Sequence, residues 1–121
     1  MEKIVKVNVI ERDFRSYDIV ATNAKDQKEV IGLKIGDYPL CVFNDYWICW
    51  SDETGGYIGV PEVYVIAYNI ESKKTYRPMR ERGRTVSKLK IDGNLLTVRW
   101  YKPWSSDEGP AREIDLSELL V

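Results

Sequence analysis

The chain of 121 residues contains no histidine. That absence removes the side chain that usually serves as general base near neutral pH, the usual activator of a Ser or Cys nucleophile, and the commonest metal ligand. Carboxylates, Tyr and Lys remain, but they fill few of the roles an active site needs. The expectation is a non-enzymatic protein with no catalytic residue, cofactor or metal. Cysteine is nearly as scarce: Cys41 and Cys49 are too few for a disulfide framework. If Asn44-Asp45 is the turn of a hairpin, the alternation of strand side chains puts the two thiols on opposite faces, where they cannot bridge. No run approaches the roughly eighteen apolar residues of a spanning helix, and Met1-Glu2-Lys3-Ile4-Val5 does not begin a signal peptide. The expectation is a cytoplasmic protein away from membranes.

A third absence is local. Between Lys34 and Lys73 there is no lysine or arginine, while Asp37, Asp45, Asp52, Glu53, Glu62 and Glu71 make the segment strongly acidic. The same segment holds Tyr38, Phe43, Tyr46, Trp47, Trp50, Tyr57, Tyr64 and Tyr68, more than half of the chain's aromatics. The sign then reverses. Residues 73–90 carry Lys73, Lys74, Arg77, Arg80, Arg82, Arg84, Lys88 and Lys90 against Glu81 alone, although the whole chain is nearly neutral at −1.

What is present reads as strands. Residues 3–10 alternate, with Val5, Val7 and Val9 on one face and Lys6 and Asn8 on the other, the pattern of a half-buried strand. Residues 11–16 read as a loop, and residues 17–22 and 29–35 as the next two strands. Residues 40–43 and 46–50 form a hairpin about Asn44-Asp45, in which Phe43 pairs with Tyr46 and Val42 with Trp47. Apolar residues on both faces of residues 46–50 call for a central strand covered on both sides.

Residues 51–61, with Gly55, Gly56, Gly59 and Pro61, read as a long loop carrying Asp52 and Glu53. A strand at 63–70 turns back into residues 75–77, and a solvated loop is expected over 76–85. Residues 86–91 and 95–101 meet at Asp92-Gly93-Asn94, a strong hairpin signal. Ile114-Asp115-Leu116 makes a last short strand, with 117–120 a closing helical turn or strand end. The fold expected over residues 1–121 is a single mainly β domain. It is an antiparallel meander of about 8–9 strands, partial-propeller-like or a sandwich, with at most one short C-terminal helical turn.

Two pieces of the chain echo one another about fifty residues apart. Phe43-Asn44-Asp45-Tyr46-Trp47-Ile48-Cys49-Trp50, then Ser51-Asp52-Glu53-Thr54-Gly55, then Ala67-Tyr68-Asn69-Ile70-Glu71-Ser72 is the first. Ile91-Asp92-Gly93-Asn94-Leu95-Leu96-Thr97-Val98-Arg99-Trp100, then Ser106-Asp107-Glu108-Gly109, then Arg112-Glu113-Ile114-Asp115-Leu116-Ser117 is the second. Each is a hairpin ending in Trp, an acidic loop and a return strand. Over residues 29–121 this resembles consecutive blades of a β-propeller of the tryptophan-aspartate or kelch kind, without their Gly-His and Trp-Asp signatures. A chain this short makes two or three such blades.

Aromatic anchors ringed by one sign of charge suit a basic protein partner, steered by the field. The candidate contact residues are Asp37, Asp45, Tyr46, Trp50, Asp52, Glu53 and Tyr57. The alternative for the aromatic residues is plain β-sheet core. Nucleic-acid binding through residues 73–90 is disfavoured by the neutral whole-chain charge and by a basic run with no interleaved aromatic except Tyr76. The carboxylate pairs Asp52-Glu53 and Asp107-Glu108 lack the spacing of a calcium loop.

In size, charge pattern and lack of catalytic groups the chain resembles bacterial immunity proteins that neutralise contact-delivered toxins, as in contact-dependent growth inhibition. The resemblance implies a cytoplasmic antitoxin whose partner is a basic toxin or nuclease domain, bound so that its active site is blocked. The other reading is a general interaction or structural β module acting as a homo-oligomer.

Overall fold

Runs of β-branched and aromatic residues punctuated by Gly, Asn and Asp favour strands joined by tight turns, and ten strands form among the described residues. A computed structural model describes residues 3–14, 16–36, 39–54, 62–101, 109 and 111–120. The strands are β1 (Ile4–Asp13), β2 (Ser16–Asn23), β3 (Lys28–Ile35), β4 (Cys41–Phe43), β5 (Trp47–Thr54), β6 (Glu62–Asn69), β7 (Thr75–Arg82), β8 (Thr85–Asp92), β9 (Leu95–Tyr101) and β10 (Arg112–Asp115), followed by a 3-10 turn at Leu116–Leu120. All pairings are antiparallel between consecutive strands, giving three meander sheets ordered β1-β2-β3, β4-β5-β6-β7 and β10-β9-β8. The expected mainly β meander is therefore what forms, with ten strands rather than eight or nine.

The three sheets pack as layers, with the β4–β7 sheet in the middle. Because successive side chains point to opposite faces, β5 sends Ile48 and Trp50 toward the first sheet and Trp47 and Cys49 toward the third. The first interior joins Ile19, Ala21 and Ile35 to Ile48, Trp50, Ile66, Tyr68 and Ile70. The second joins Trp47, Cys49, Val63, Val65 and Ala67 to Leu96, Val98, Trp100 and Leu116. The apolar residues on both faces of β5 thus have the two-sided cover their pattern requires. The first strands of the sheets share one side of the stack, β1 beside β4 and β4 beside β8.

Five local expectations need correction. The β4–β5 turn is centred on Asp45-Tyr46, and the register is Phe43 with Ile48, Val42 with Cys49 and Cys41 with Trp50, two residues away from the expected one. The cause is the Asn44 side chain. Its Oδ1 accepts the backbone N–H groups of Tyr46 and Trp47, each at 2.9 Å, while Asn44 N–H donates to the Trp47 carbonyl. A two-residue slip preserves which face each side chain takes, so Cys41 and Cys49 still point apart, and both are free thiols.

The other four concern strand length and facing. The expected loop at 11–16 is largely strand, since β1 runs to Asp13. Val5 and Val9 are exposed rather than buried with Val7; a bulge at Val5 breaks the alternation and sends Ile4 inward beside Val7. Ser51 to Thr54 are strand, not loop, and pair with Val65 to Glu62. The solvated loop expected over 76–85 is instead the ends of β7 and β8 with a turn at Gly83 between them, whose φ of 83° is readily adopted only by glycine. A register shift opposite Val65 and Ala67 changes the phase of β7, so the inward Tyr76 and Met79 do not alternate regularly with the arginines.

Candidate functional site

β5 decides where the predicted contact residues go. Asp45 and Tyr46 sit in the turn before it, and Asp52 and Glu53 near its far end. The strand from Trp47 to Asp52 alone spans about 17 Å at the rise of an extended chain. The acidic aromatic region is therefore split between two ends of the stack. Trp50, between them, is 1% exposed in the first interior, its indole N–H buried without a partner. It is core, and its place among the contact residues is a correction. Asp37 and Tyr57 lie outside the described residues, as does the Asp107-Glu108 pair.

At the turn end, Tyr46 is well exposed, and the exposed Asp45 carboxylate lies 3.8 Å from Lys3 Nζ. An exposed pair of this kind contributes little stability. At the other end, Asp52 and Glu53 have different tasks because they point to opposite faces. Asp52 Oδ1 accepts the N–H of Gly36 at 2.8 Å, tying the end of the first sheet to the middle one. Glu53 lies on the same side as Ser51 and Val63. These three, with Leu40, Thr85, Val86 and Ser87, line a cleft of about 340 Å³ between the middle and third sheets.

The hydroxyls of that cleft separate structural from available groups. Ser51 Oγ accepts the backbone N–H of Leu40 at 3.0 Å. The hydroxyl oxygens of Thr85 and Ser87 are buried and have no hydrogen-bond partner. Buried hydroxyls without partners are uncommon and cost about 1–3 kcal/mol each until something pairs with them. Sequence reasoning missed both residues. The signal was a pair of small hydroxyl residues two apart at the start of a strand whose apolar residues are Val86, Leu89 and Ile91.

Part of the basic segment is engaged within the fold, and its one acid, Glu81, is paired as well. Arg80 pairs with Glu62 at 2.7 Å, and Tyr64 donates its hydroxyl to the same carboxylate at 3.0 Å. The guanidinium carbons of Arg77 and Arg80 stand 5.2 and 5.7 Å from the Tyr64 ring centre. Arg112 pairs with Glu81 at 3.1 Å and Lys73 with Glu29 at 3.9 Å. The aromatic neighbour that the basic run lacks in sequence comes from β6.

Three other groups have shifted acidities. Burial pushes the Cys41 and Cys49 thiols up to about 12, with Cys41 adding to the effect on Cys49. Both are therefore poor nucleophiles. Burial, and then the nearby Glu29 carboxylate, raise the Tyr68 phenol above its ordinary value. Among the described residues, no cluster of three Cys, Asp or Glu side chains is placed to hold a metal ion. No described helix is long and apolar enough to cross a membrane. Comparison of the chain with protein-family models, with curated proteins and with solved structures finds no match.

Proposed function

We propose that this protein acts by binding a basic protein partner, in the manner of an immunity protein that blocks a toxin or nuclease domain, and that the Glu53 cleft receives a lysine or arginine of that partner. The observation that carries the reading is the pair of unpartnered buried hydroxyls, Thr85 and Ser87, lining the same cleft as the Glu53 carboxylate. Lysine and arginine heads only donate hydrogen bonds. Glu53 already has an interaction partner, so the incoming head competes for its carboxylate and gains the two hydroxyl oxygens lining the same cleft, while Leu40, Val63 and Val86 can hold its aliphatic stem. Asp45 and Tyr46, at the other end of β5, would meet a different part of the partner or steer its approach.

The test is co-expression with the basic protein encoded next to this one, reading rescue of growth and the affinity of the purified pair. Glu53→Lys should weaken binding by about 30-fold or more, the usual cost of breaking a buried, hydrogen-bonded charge contact. Thr85→Val with Ser87→Ala should weaken it by a smaller factor. Binding unchanged by Glu53→Lys would remove the proposed surface, and growth without rescue would remove the immunity reading.

A second reading, assembly with another copy, is favoured by the outer face of the first sheet. Ile10, Val30 and Leu33 of this sheet are exposed, and Phe14 in its β1–β2 turn is 80% exposed. Paired registers put Asn8, Val20 and Val30 on one face, along with Lys6, Asp18 and Lys28 nearby. A face with both signs of charge can meet itself about a two-fold axis without like-charge repulsion. Sedimentation equilibrium should then show a concentration-dependent dimer that Val30→Lys abolishes. A monomer at every concentration would end this reading.

A further inference from the structure

A second cavity lies between the first and middle sheets, away from the Glu53 cleft, where the β2–β3 and β6–β7 turns come together. Its volume is about 630 Å³, within the range of small-molecule sites. Ile4, Ala21 and Ile31 of the first sheet face Tyr68 and Ile70 across it, giving apolar walls on both sides. Among the described residues, the rim carries charges of both signs in equal number: Glu29 and Glu71, Lys28 and Lys73. Glu29 on β3 and Lys73 in the β6–β7 turn meet across the gap at 3.9 Å, with both heads more than half exposed. So loose a pair contributes little stability and is easily opened.

We propose that this cavity binds a small zwitterion with an apolar body, that is, an aliphatic amino acid or short aliphatic peptide. The ligand's ammonium replaces Lys73 beside Glu29, its carboxylate takes the freed Lys73 or Lys28, and its side chains fill the space between Ile4, Ile31 and Ile70. The match is in charge as well as shape. A rim with two carboxylates and two ammonium groups is neutral, so a ligand with one charge leaves a like charge beside it, whereas a zwitterion satisfies both signs. Tyr68 stays protonated near neutrality because burial and Glu29 disfavour its phenolate. Its hydroxyl is thus available as a donor to the ligand carboxylate.

The test is an amide-resonance titration of the full chain with leucine, leucyl-leucine, leucyl-leucine capped at both ends, octylamine and octanoate. Saturable shifts at Ala21, Ile31 and Ile70 are expected with leucine, leucyl-leucine or both, which also tells a free amino acid from a peptide. The capped peptide and the two singly charged probes should bind at least about tenfold more weakly, the loss of roughly one charge-assisted contact. Glu29→Gln and Lys73→Gln, both at exposed positions, should weaken zwitterion binding by a similar factor while leaving the rest of the spectrum unchanged. No saturable shift with either zwitterion up to about 10 mM, weaker than any useful site, would overturn the proposal. So would equal binding of the capped peptide, octylamine or octanoate.

Discussion

At the scale of single residues, Gly36 has the least room for a side chain among the described glycines. A Cβ there would lie 2.0 Å from the backbone oxygen of Glu53, and backbone on both sides leaves nothing flexible to give way. Gly36→Ala should therefore cost about 3 kcal/mol, at the upper end of overpacking penalties, read as a lowered urea midpoint. The two thiols make a second prediction. Their folded-state values of about 12 lie above the ordinary 9.0, so the folded state holds its protons longer than the unfolded one. Their contribution is fully present below pH 9 and is lost as pH rises from there through about 12. Urea midpoints should fall over that window, and replacing both cysteines with alanine should flatten the fall. In the native protein both should resist thiol reagents at pH 8 and react on unfolding.

Single elements are held in register by side chains reaching between turns. Asn44 Nδ2 donates to the Gly93 carbonyl and the Trp47 indole N–H donates to Asn94 Oδ1, each at 2.8 Å, joining the β4–β5 turn to the β8–β9 turn. Asn94→Ala leaves the Trp47 N–H without its acceptor and should cost about 1–2 kcal/mol, whereas Asn94→Asp keeps an acceptor and should cost less. Equal losses in thermal melts of the two variants would show that the indole contact contributes nothing. These turns are also where the sequence was most and least legible. Strand identities could be read because apolar alternation and Gly or Asn punctuation are local, and Asp92-Gly93-Asn94 marks its hairpin unaided. The β4–β5 register could not, because Asn44 satisfies two backbone donors with its side chain and moves the turn by two residues. The length of β7 was hidden by arginines on its open side and by a change of phase within the strand. The candidate site was legible only as a composition. That Asp52 anchors Gly36, that Glu53 lines a cleft and that Trp50 is core depend on which face each residue takes once three sheets are stacked.

At the scale of the whole molecule, the middle sheet depends on both neighbours. Trp47, Trp50 and Trp100 are almost fully buried across the two interiors, and large aromatic side chains dominate the energetics of such layers. Removing either outer sheet would leave one wall of tryptophan and isoleucine in water. Unfolding should therefore be a single cooperative transition, with tryptophan fluorescence and far-ultraviolet circular dichroism tracing the same curve. Amide exchange should be slowest in β5 and β6; two separated transitions would mean that one interior can melt alone. The order of strands has a consequence for how the chain is made. Among the described strands, every sheet is built from neighbours in sequence, with none inserted from a distant segment, so no sheet waits for the far end of the chain. A ribosome can release the first sheet complete, then the four strands that cover it, then the three that cover those. The chain can fold in the order of its synthesis, the usual direction for growing polypeptides, and the exposed intermediate to protect is the middle sheet before β8 to β10 emerge.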